Sequence, residues 1–341
     1  METTISSLRS AWNSYRTANP KVRIRDAAKA LQVSEAALVA TCIGTAVKLL
    51  QPDFRSLING MPALGRVMVL TRNESCVIER KGIFEQVDTS SKHVGIVLGK
   101  DIDLRMFLNK WTWGFAVDND DAAGFKKSIQ IFDASGDAII KIYALPETDI
   151  TAWDALVTRH LEAVQQEPVT FAAAGKTIPA TAAINKEALL ADWAALKDTH
   201  DFYPMLMKHR AQRLQAVEAA AGVFTRKVDN QAADALLRGA AASGQEIMVF
   251  VGNHGNIEIH TGPVQKIVAI PGWINVMDPD FNLHLKTADV AQCWIVDKPA
   301  EGGVTSMEVY DEAGEMIVQF FGKRKPGIPE QESWRELLRS L

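Results

Sequence analysis

Ser128-Ile129-Gln130-Ile131-Phe132-Asp133-Ala134-Ser135-Gly136-Asp137 returns later in the chain as Ser306-Met307-Glu308-Val309-Tyr310-Asp311-Glu312-Ala313-Gly314-Glu315. In each copy polar and apolar residues alternate, an acidic residue follows, and a glycine closes the segment. Alternation of period two marks a strand with one buried face, and Gly supplies the tight turn to the next strand. The partners are Ala138–Tyr143 in the first copy and Met316–Phe321 in the second.

Other matched pairs keep the same order along the chain. Trp12 matches Trp193, Val67–Leu70 matches Ile247–Phe250, and Asp101-Ile102-Asp103-Leu104-Arg105 matches Asp280-Phe281-Asn282-Leu283-His284. Their separations are 181, 180 and 179 residues, and the opening pair lies 178 apart. A slowly drifting offset is what duplication followed by small deletions leaves behind. The expected organisation is an N-terminal repeat over 1–165, an Ala/Thr/Pro-rich linker over 166–186 and a C-terminal repeat over 187–341. Each half opens with helices, read at Ile24–Leu31 and Glu35–Val47, then at Ala188–Lys197 and Arg213–Ala221. Short strands follow, with Gly252-Asn253-His254-Gly255 as a hairpin turn between Ile247–Val251 and Asn256–His260. Short hairpins mean antiparallel sheets, so the fold class is α+β: two similar halves, each with a large antiparallel sheet flanked by helices.

The 341 residues are 47% hydrophobic and 23% charged, the balance of a folded chain with a sizeable core. Against 37 basic residues stand 41 acidic ones, a formal charge of -4 that disfavours nucleic acid as a partner. Cys42, Cys76 and Cys293 form no CxxC pair and read as small buried hydrophobes. The N-terminus has no basic start before an apolar stretch, and the apolar run 36–47 is too short to span a bilayer. The expected location is the cytoplasm, without membrane insertion.

Signatures of nucleotide hydrolysis, dinucleotide binding, serine esterases and zincins are missing. Arg23–Leu38 has the pattern of a helix-turn-helix, with Ser34 capping the second helix, which leaves a DNA-binding regulator as one function class. The acidic chain and the absence of a basic face on that helix favour a plain helical pair. None of the seven histidines pairs with another at metal-site spacing. A lone imidazole can still hold an iron whose other four nitrogens come from a porphyrin. His200, between Trp193–Lys197 and the aromatics Phe202 and Tyr203, is by pattern either such a ligand or a hydrogen-bonded structural residue.

Longer strings carry a resemblance. Asp103-Leu104-Arg105-Met106-Phe107-Leu108-Asn109-Lys110-Trp111, Glu246-Ile247-Met248-Val249-Phe250-Val251-Gly252-Asn253, Trp273-Ile274-Asn275-Val276 and Thr305-Ser306 resemble the HemS/ChuS/HmuS family of haem-handling proteins, from about Trp12 to Trp334. The resemblance implies haem b as ligand and substrate, held in a cleft between the halves. The segment Trp193–Phe202 matches the family's ligand region and places the axial iron ligand at His200, with His209 as a competing ligand. Arg105 falls on the family's distal arginine, the catalytic position, where a protonated guanidinium donates hydrogen bonds to oxygen species. Arg213, Lys298 and Arg324 match the propionate-binding cations, Gln319 adds a polar contact, and Phe107 and Phe250 are wall residues. One departure is Phe321, where relatives commonly carry Tyr.

The activity so implied is oxidative opening of the porphyrin with iron release, using O2 or peroxide and an electron donor. The rival is a carrier passing haem from an inner-membrane ABC importer to a separate haem oxygenase. Either a monomer or a homodimer suits both readings.

Overall fold

Both copies of the opening pattern fold as hairpins. Lys127–Phe132 pairs antiparallel with Ala138–Thr148, and Val304–Tyr310 with Met316–Gly322. Gly136 and Gly314 sit at φ 86° and 79° in the two turns, a backbone conformation that a side chain would strain. The computed structural model describes residues 5–118, 127–165, 170–172, 183–324 and 329–341.

In chain order the first half forms strands β1 (Val47–Leu50), β2 (Gly65–Arg72), β3 (Cys76–Gly82), β4 (Val87–Asp88), β5 (Gly95–Leu98), β6 (Asp103–Met106), β7 (Trp113–Asp118), β8 (Lys127–Phe132) and β9 (Ala138–Thr148). The second forms β10 (Thr225–Val228), β11 (Ile247–Gly252), β12 (Asn256–Gly262), β13 (Ile267–Ile270), β14 (Trp273–Met277), β15 (Phe281–Lys286), β16 (Gln292–Lys298), β17 (Val304–Tyr310) and β18 (Met316–Gly322). The helices of the first half are α1 (Ile5–Ala18), α2 (Ile24–Ala30), α3 (Glu35–Ala40), α4 (Phe54–Asn59) and α5 (Ile150–Arg159). Those of the second are α6 (Lys186–Ala194), α7 (Phe202–Lys208), α8 (Arg213–Ala219), α9 (Ala232–Ser243) and α10 (Glu332–Arg339).

Two nine-stranded sheets result, with strand orders β1-β7-β8-β9-β2-β3-β15-β14-β13 and β10-β16-β17-β18-β11-β12-β6-β5-β4. Substituting each strand by its repeat partner turns one order into the other. The duplication read from the sequence is therefore a duplication of topology, and the class is α+β.

The chain divides into two compact units, neither of them continuous in sequence. Unit 1 is Met1–Arg72, Glu79–Lys176 and Gly252–Glu258; unit 2 is Asn73–Ile78, Thr177–Val251 and Ile259–Leu341. Each unit thus takes in one hairpin tip from the opposite half. Tip 252–258 is tied into unit 1 by Asn253, whose side chain donates to the carbonyls of Arg72 (3.0 Å) and Ile139 (2.8 Å). Of the linker expected at 166–186, residues 170–172 and 183–186 are described. Phe171 packs edge-on against Trp113, centroids 5.6 Å apart.

Several helix boundaries differ from the sequence expectation. The helix read at Glu35–Val47 stops at Ala40, because Gly44 turns the chain at φ 80° and the β-branched Val47 opens β1 opposite Val117. The helix read at Ala188–Lys197 starts and ends earlier, as Lys186–Ala194, because the Asn185 side chain caps it by accepting from Ala188 N. Cys42 is half-buried, unlike Cys76 and Cys293. The helical pair at Arg23–Leu38 forms as α2 and α3, with Ser34 accepting from Ala37 N as its cap. Five of the six α3 residues are buried, so this helix has no face to lay in a DNA groove.

Candidate functional site

Antiparallel partners share a sheet face, so the registers of unit 2 assign its side chains to sides. Cys293, Ile295, Met307, Val309, Val249 and Phe320 lie on one side, in an apolar core closed by α9 and α10. The other side carries Trp294, Lys298, Ser306, Glu308, Tyr310, Gln319, Phe321 and Phe250. Helices α6, α7 and α8 cover part of that side through a core of Leu189, Trp193, Phe202, Leu206, Val217, Trp294 and Tyr310.

Buried at the centre of the helix-covered side is Glu308, with no solvent exposure. Arg213, the first residue of α8, donates to it from Nε (2.8 Å) and Nη2 (2.5 Å), a fork-to-carboxylate pair. Gln319 Nε2 donates at 2.9 Å, the Tyr310 hydroxyl donates as well, and Lys298 Nζ lies at 3.9 Å. Burial raises the Glu308 carboxyl, yet Arg213 and Lys298 outweigh it and bring the pKa down to about 2. Burial and the neighbouring Arg213 charge lower Lys298 to about 8, with Glu308 opposing them. Both cations also stand over the Phe202 ring, Lys298 Nζ at 4.6 Å from its centroid and Arg213 Cζ at 4.9 Å. One buried carboxylate faces a buried cation, Lys298, and a part-buried one, Arg213. The cluster has an unbalanced positive charge, which an incoming carboxylate would neutralise.

His200 is placed by the same aromatic. Phe202 is buried edge-on against Trp193, with centroids 4.7 Å apart, and it anchors the short 3-10 turn Thr199–Asp201. Asp198 caps that turn, accepting from His200 N, while Asp201 accepts from Asp198 N. The imidazole is 91% exposed, and its Nδ1 is 2.7 Å from the same Asp198 oxygen. A carboxylate can only accept, so Nδ1 carries the proton and Nε2 keeps its lone pair for a metal. The hydrogen bonds from His200 N and then from its ring are the main reasons the Asp198 carboxyl lies below the ordinary range, with Arg324 contributing a smaller attraction. Arg324 also acts on Lys298, so these groups share one electrostatic neighbourhood.

Two other histidines look different. His160 is buried, with Nδ1 at 2.9 Å from Leu156 O and Nε2 at 3.0 Å from Ser56 Oγ, a structural histidine in every respect. His209 is 10% exposed, and its Nε2 lies 2.6 Å from Asp192, which also binds Lys208. To act as a ligand through Nε2 it would have to give up that bond.

The expected residues therefore divide. His200, Arg213, Lys298, Gln319, Arg324 and Phe250 all belong to unit 2, where Phe250 meets Phe321 at 5.0 Å. Arg105 and Phe107 belong to unit 1. Arg105 projects from β6, about a third exposed, and its guanidinium forms an ion pair with Asp103 and donates to Leu104 O at 3.1 Å. Gln319 spends its amide on Glu308. Sequence reading missed Asp198 and Glu308. Asp198 stands two residues before His200, inside the very segment that carries the resemblance. Glu308 was visible as the one acid replacing an amide, Gln130, in the repeated strand.

That replacement is half of an exchange. In unit 1 the residue opening α3 is Glu35, buried, and it binds Lys141 from β9 and Arg72 from β2. Each member lies 178 residues before its counterpart: Glu35 before Arg213, Gln130 before Glu308, Lys141 before Gln319. Lys141 and Gln130 face each other in the sheet, as do Gln319 and Glu308. The first repeat puts the acid on the helix and the base on the strand; the second reverses them.

Comparison with known proteins agrees with this layout. The model of the haemin-degrading HemS.ChuX domain matches twice, at residues 32–160 and 210–341. The hemin transport protein HemS of Yersinia enterocolitica is 36% identical over 329 residues, 95% of this chain and 94% of its own. Apo-PhuS, a heme-binding protein from Pseudomonas aeruginosa, superposes with a TM-score of 0.94 at 45% identity, covering 99% of both chains. The heme degrading enzyme ChuS of Escherichia coli O157:H7 does so with a TM-score of 0.92 at 33% identity, again over 99% of both.

Proposed function

The chain belongs to the haemin-degrading HemS/ChuX family, and on that premise we propose that it binds haem on unit 2, with His200 as axial iron ligand, and serves to open the porphyrin ring. The observation that carries the reading is the Asp198–His200 pair. It holds an exposed imidazole in the tautomer that presents Nε2, beside a buried cluster with positive charge to spare. A haem propionate is the carboxylate that such a cluster would take, from Lys298 and Arg324 first, since Arg213 is committed to Glu308. Phe250 and Phe321 offer the porphyrin face an apolar surface.

Haem brings the redox chemistry when bound, with O2 or peroxide and an electron donor from outside. The chain's own work is to hold the macrocycle, fix the imidazole and donate hydrogen bonds. Arg105 is the proposed donor for the catalytic step; to act, its guanidinium must exchange Asp103 for the reacting oxygen. The test of the binding reading is a hemin titration followed in the Soret region, with wild type against His200→Ala. Unchanged affinity and spectrum would refute His200, and a residual shifted band abolished by adding His209→Ala would assign the remainder to His209.

A second reading, a carrier that delivers haem from an inner-membrane importer to a separate oxygenase in the cytoplasm, is favoured by one observation: Arg105 is already paired with Asp103. The two readings part in a single experiment. The haem complex, prepared anaerobically, is given oxygen and ascorbate with catalase present. Loss of the Soret band supports ring opening, and a stable band supports the carrier.

A further inference from the structure

The two repeats treat their outer sheet edges differently. β1 and β10 are edge strands, and both follow the same tight turn. Gly44 (φ 80°) donates from N to Val47 O at 3.0 Å, and Gly222 (φ 81°) donates to Thr225 O at 2.9 Å. Thr225 therefore corresponds to Val47 and Lys227 to Leu49. In an antiparallel pair alternate residues point their main-chain groups to opposite sides. Val47 and Leu49 point away from β7; Thr225 and Lys227 point away from β16.

At Leu49 these outward groups are taken by the chain that follows α5. Its carbonyl accepts from Glu162 N (3.0 Å) and Gln165 Nε2 (2.8 Å), and its N–H donates to Gln165 Oε1 (2.8 Å). Gln51 N donates to His160 O at 2.8 Å, and Leu161 bridges Leu50. Segment 160–165 thus covers the β1 edge through one antiparallel bridge at Leu161 and the Gln165 side chain. At Lys227 no described residue takes either main-chain group. Lys227 lines a shallow groove of about 470 Å³ with Trp294, and beside it a groove of about 500 Å³ runs between β10, β16 and the end of α10. Phe224, Ile295 and Leu338 line it, and Arg226, Arg335, Arg339 and Lys298 outweigh the one acid, Asp297. Arg335 and Arg339 lean on Glu330 and Glu332, and Arg226 bonds only the Leu338 carbonyl. Ile295 and Arg226 lie on the sheet face opposite Glu308, while Lys298 lines both the groove and the Glu308 cluster, so the groove adjoins the candidate haem site.

We propose that the β10 edge is a docking slot for an extended acidic segment of a partner protein, which adds as a further strand at Lys227. Main-chain hydrogen bonds give such a strand its hold, and the groove selects its side chains. The internal template sets the pattern: an apolar residue toward the groove, as Leu161 packs on its core in unit 1, with flanking acids on the opposite face beside Lys227 and a further acid on the groove face toward the arginines. A second copy of β10 is a poor occupant, since pairing Thr225-Arg226-Lys227-Val228 with itself sets like charges against each other.

The probes are two capped synthetic peptides, Glu-Leu-Glu-Ala-Val-Glu and Lys-Leu-Lys-Ala-Val-Lys, used with the full chain in fluorescence anisotropy and hydrogen-exchange mass spectrometry. The acidic peptide should bind about tenfold or more tightly than the basic one, the effect of a few rim charges, and should slow exchange over 224–228. Lys227→Pro removes an N–H that no ladder bond uses, so the protein should keep its thermal melt and lose the peptide. Lys227→Glu should narrow or invert the preference. Equal binding of the two peptides, binding that survives Lys227→Pro, or absence of protection at 224–228 overturns the proposal. So does a dimer in sedimentation that Lys227→Pro dissolves, since the edge would then belong to a second copy.

Discussion

Lys298 is the residue whose chemistry most directly links this fold to an anionic ligand. Its ammonium is lowered to about 8 by burial and by Arg213. At pH 7 about nine-tenths of the molecules carry the charge, and at pH 9 about one-tenth do. If the carboxylate of haem binds only the charged form, the apparent Kd is the intrinsic one divided by the charged fraction, and it weakens about tenfold from pH 7 to pH 9. The sign reverses for the empty protein. An unfolded lysine keeps its proton to about pH 10.4 while the folded one releases it near 8, so the unfolded state binds more protons in that window. Stability then rises with pH between the two values, and the charged Lys298 costs the empty fold up to about 3 kcal/mol at pH 7. The assay is hemin affinity across pH 7–9 for wild type and Lys298→Arg, with guanidine unfolding of the apo proteins. Arg keeps its charge throughout, so the ratio of the two affinities removes any titration of hemin itself. The ratio should move about tenfold in favour of Arg as pH rises, and Lys298→Met should stabilise the empty protein at pH 7 while weakening hemin. Parallel pH profiles for the wild type and the Arg variant would refute the reasoning.

Asp198→Asn should weaken hemin about 10- to 100-fold, as loss of a partner that orients a ligating imidazole does elsewhere, with the ring of His200 intact; hemin titration checks it. Glu308→Gln leaves the buried Lys298 and the part-buried Arg213 without their carboxylate and should cost about 3 kcal/mol in denaturant unfolding. Arg105→Ala should retain hemin but slow loss of the Soret band under oxygen and ascorbate, and unchanged turnover would remove Arg105 from the reaction.

The duplication was legible because sheet strands repeat with period two and the turn glycines are fixed by backbone conformation. Gly136 and Gly314 kept their spacing where side chains drifted. What the sequence hid was long-range. Nothing local distinguishes Glu308 from a solvated strand acid, since its partners arrive from α8, β16 and β18. The end of α3 at Ala40 was hidden for a similar reason. Residues 36–47 carry no charge and are apolar apart from Thr41 and Thr45, and a buried helix and a buried strand cannot be told apart by periodicity there. Arg105 was flagged by resemblance, but its ion pair with Asp103, two residues away on the same strand, was the plainer reading of the local string.

Duplication also explains why the candidate ligand set lies in one repeat. Counting seven residues on from the paired tryptophans gives His200 after Trp193 and Asn19 after Trp12. Asn19 donates its side-chain amide to Tyr15 O at 3.0 Å, closing its own helix end, and an amide has no imidazole lone pair to offer iron. Two helices further on the second repeat offers Arg213 where the first has Glu35, so an arriving carboxylate would meet a cation in one and an anion in the other. Both repeats needed a buried ion pair between helix and strand to fill the same space, and either polarity satisfies that need equally. Only the polarity of the second repeat, joined to His200, suits the metalloporphyrin diacid of the proposed function. Packing preserved the cluster in both copies; its orientation is the part that function had left to choose.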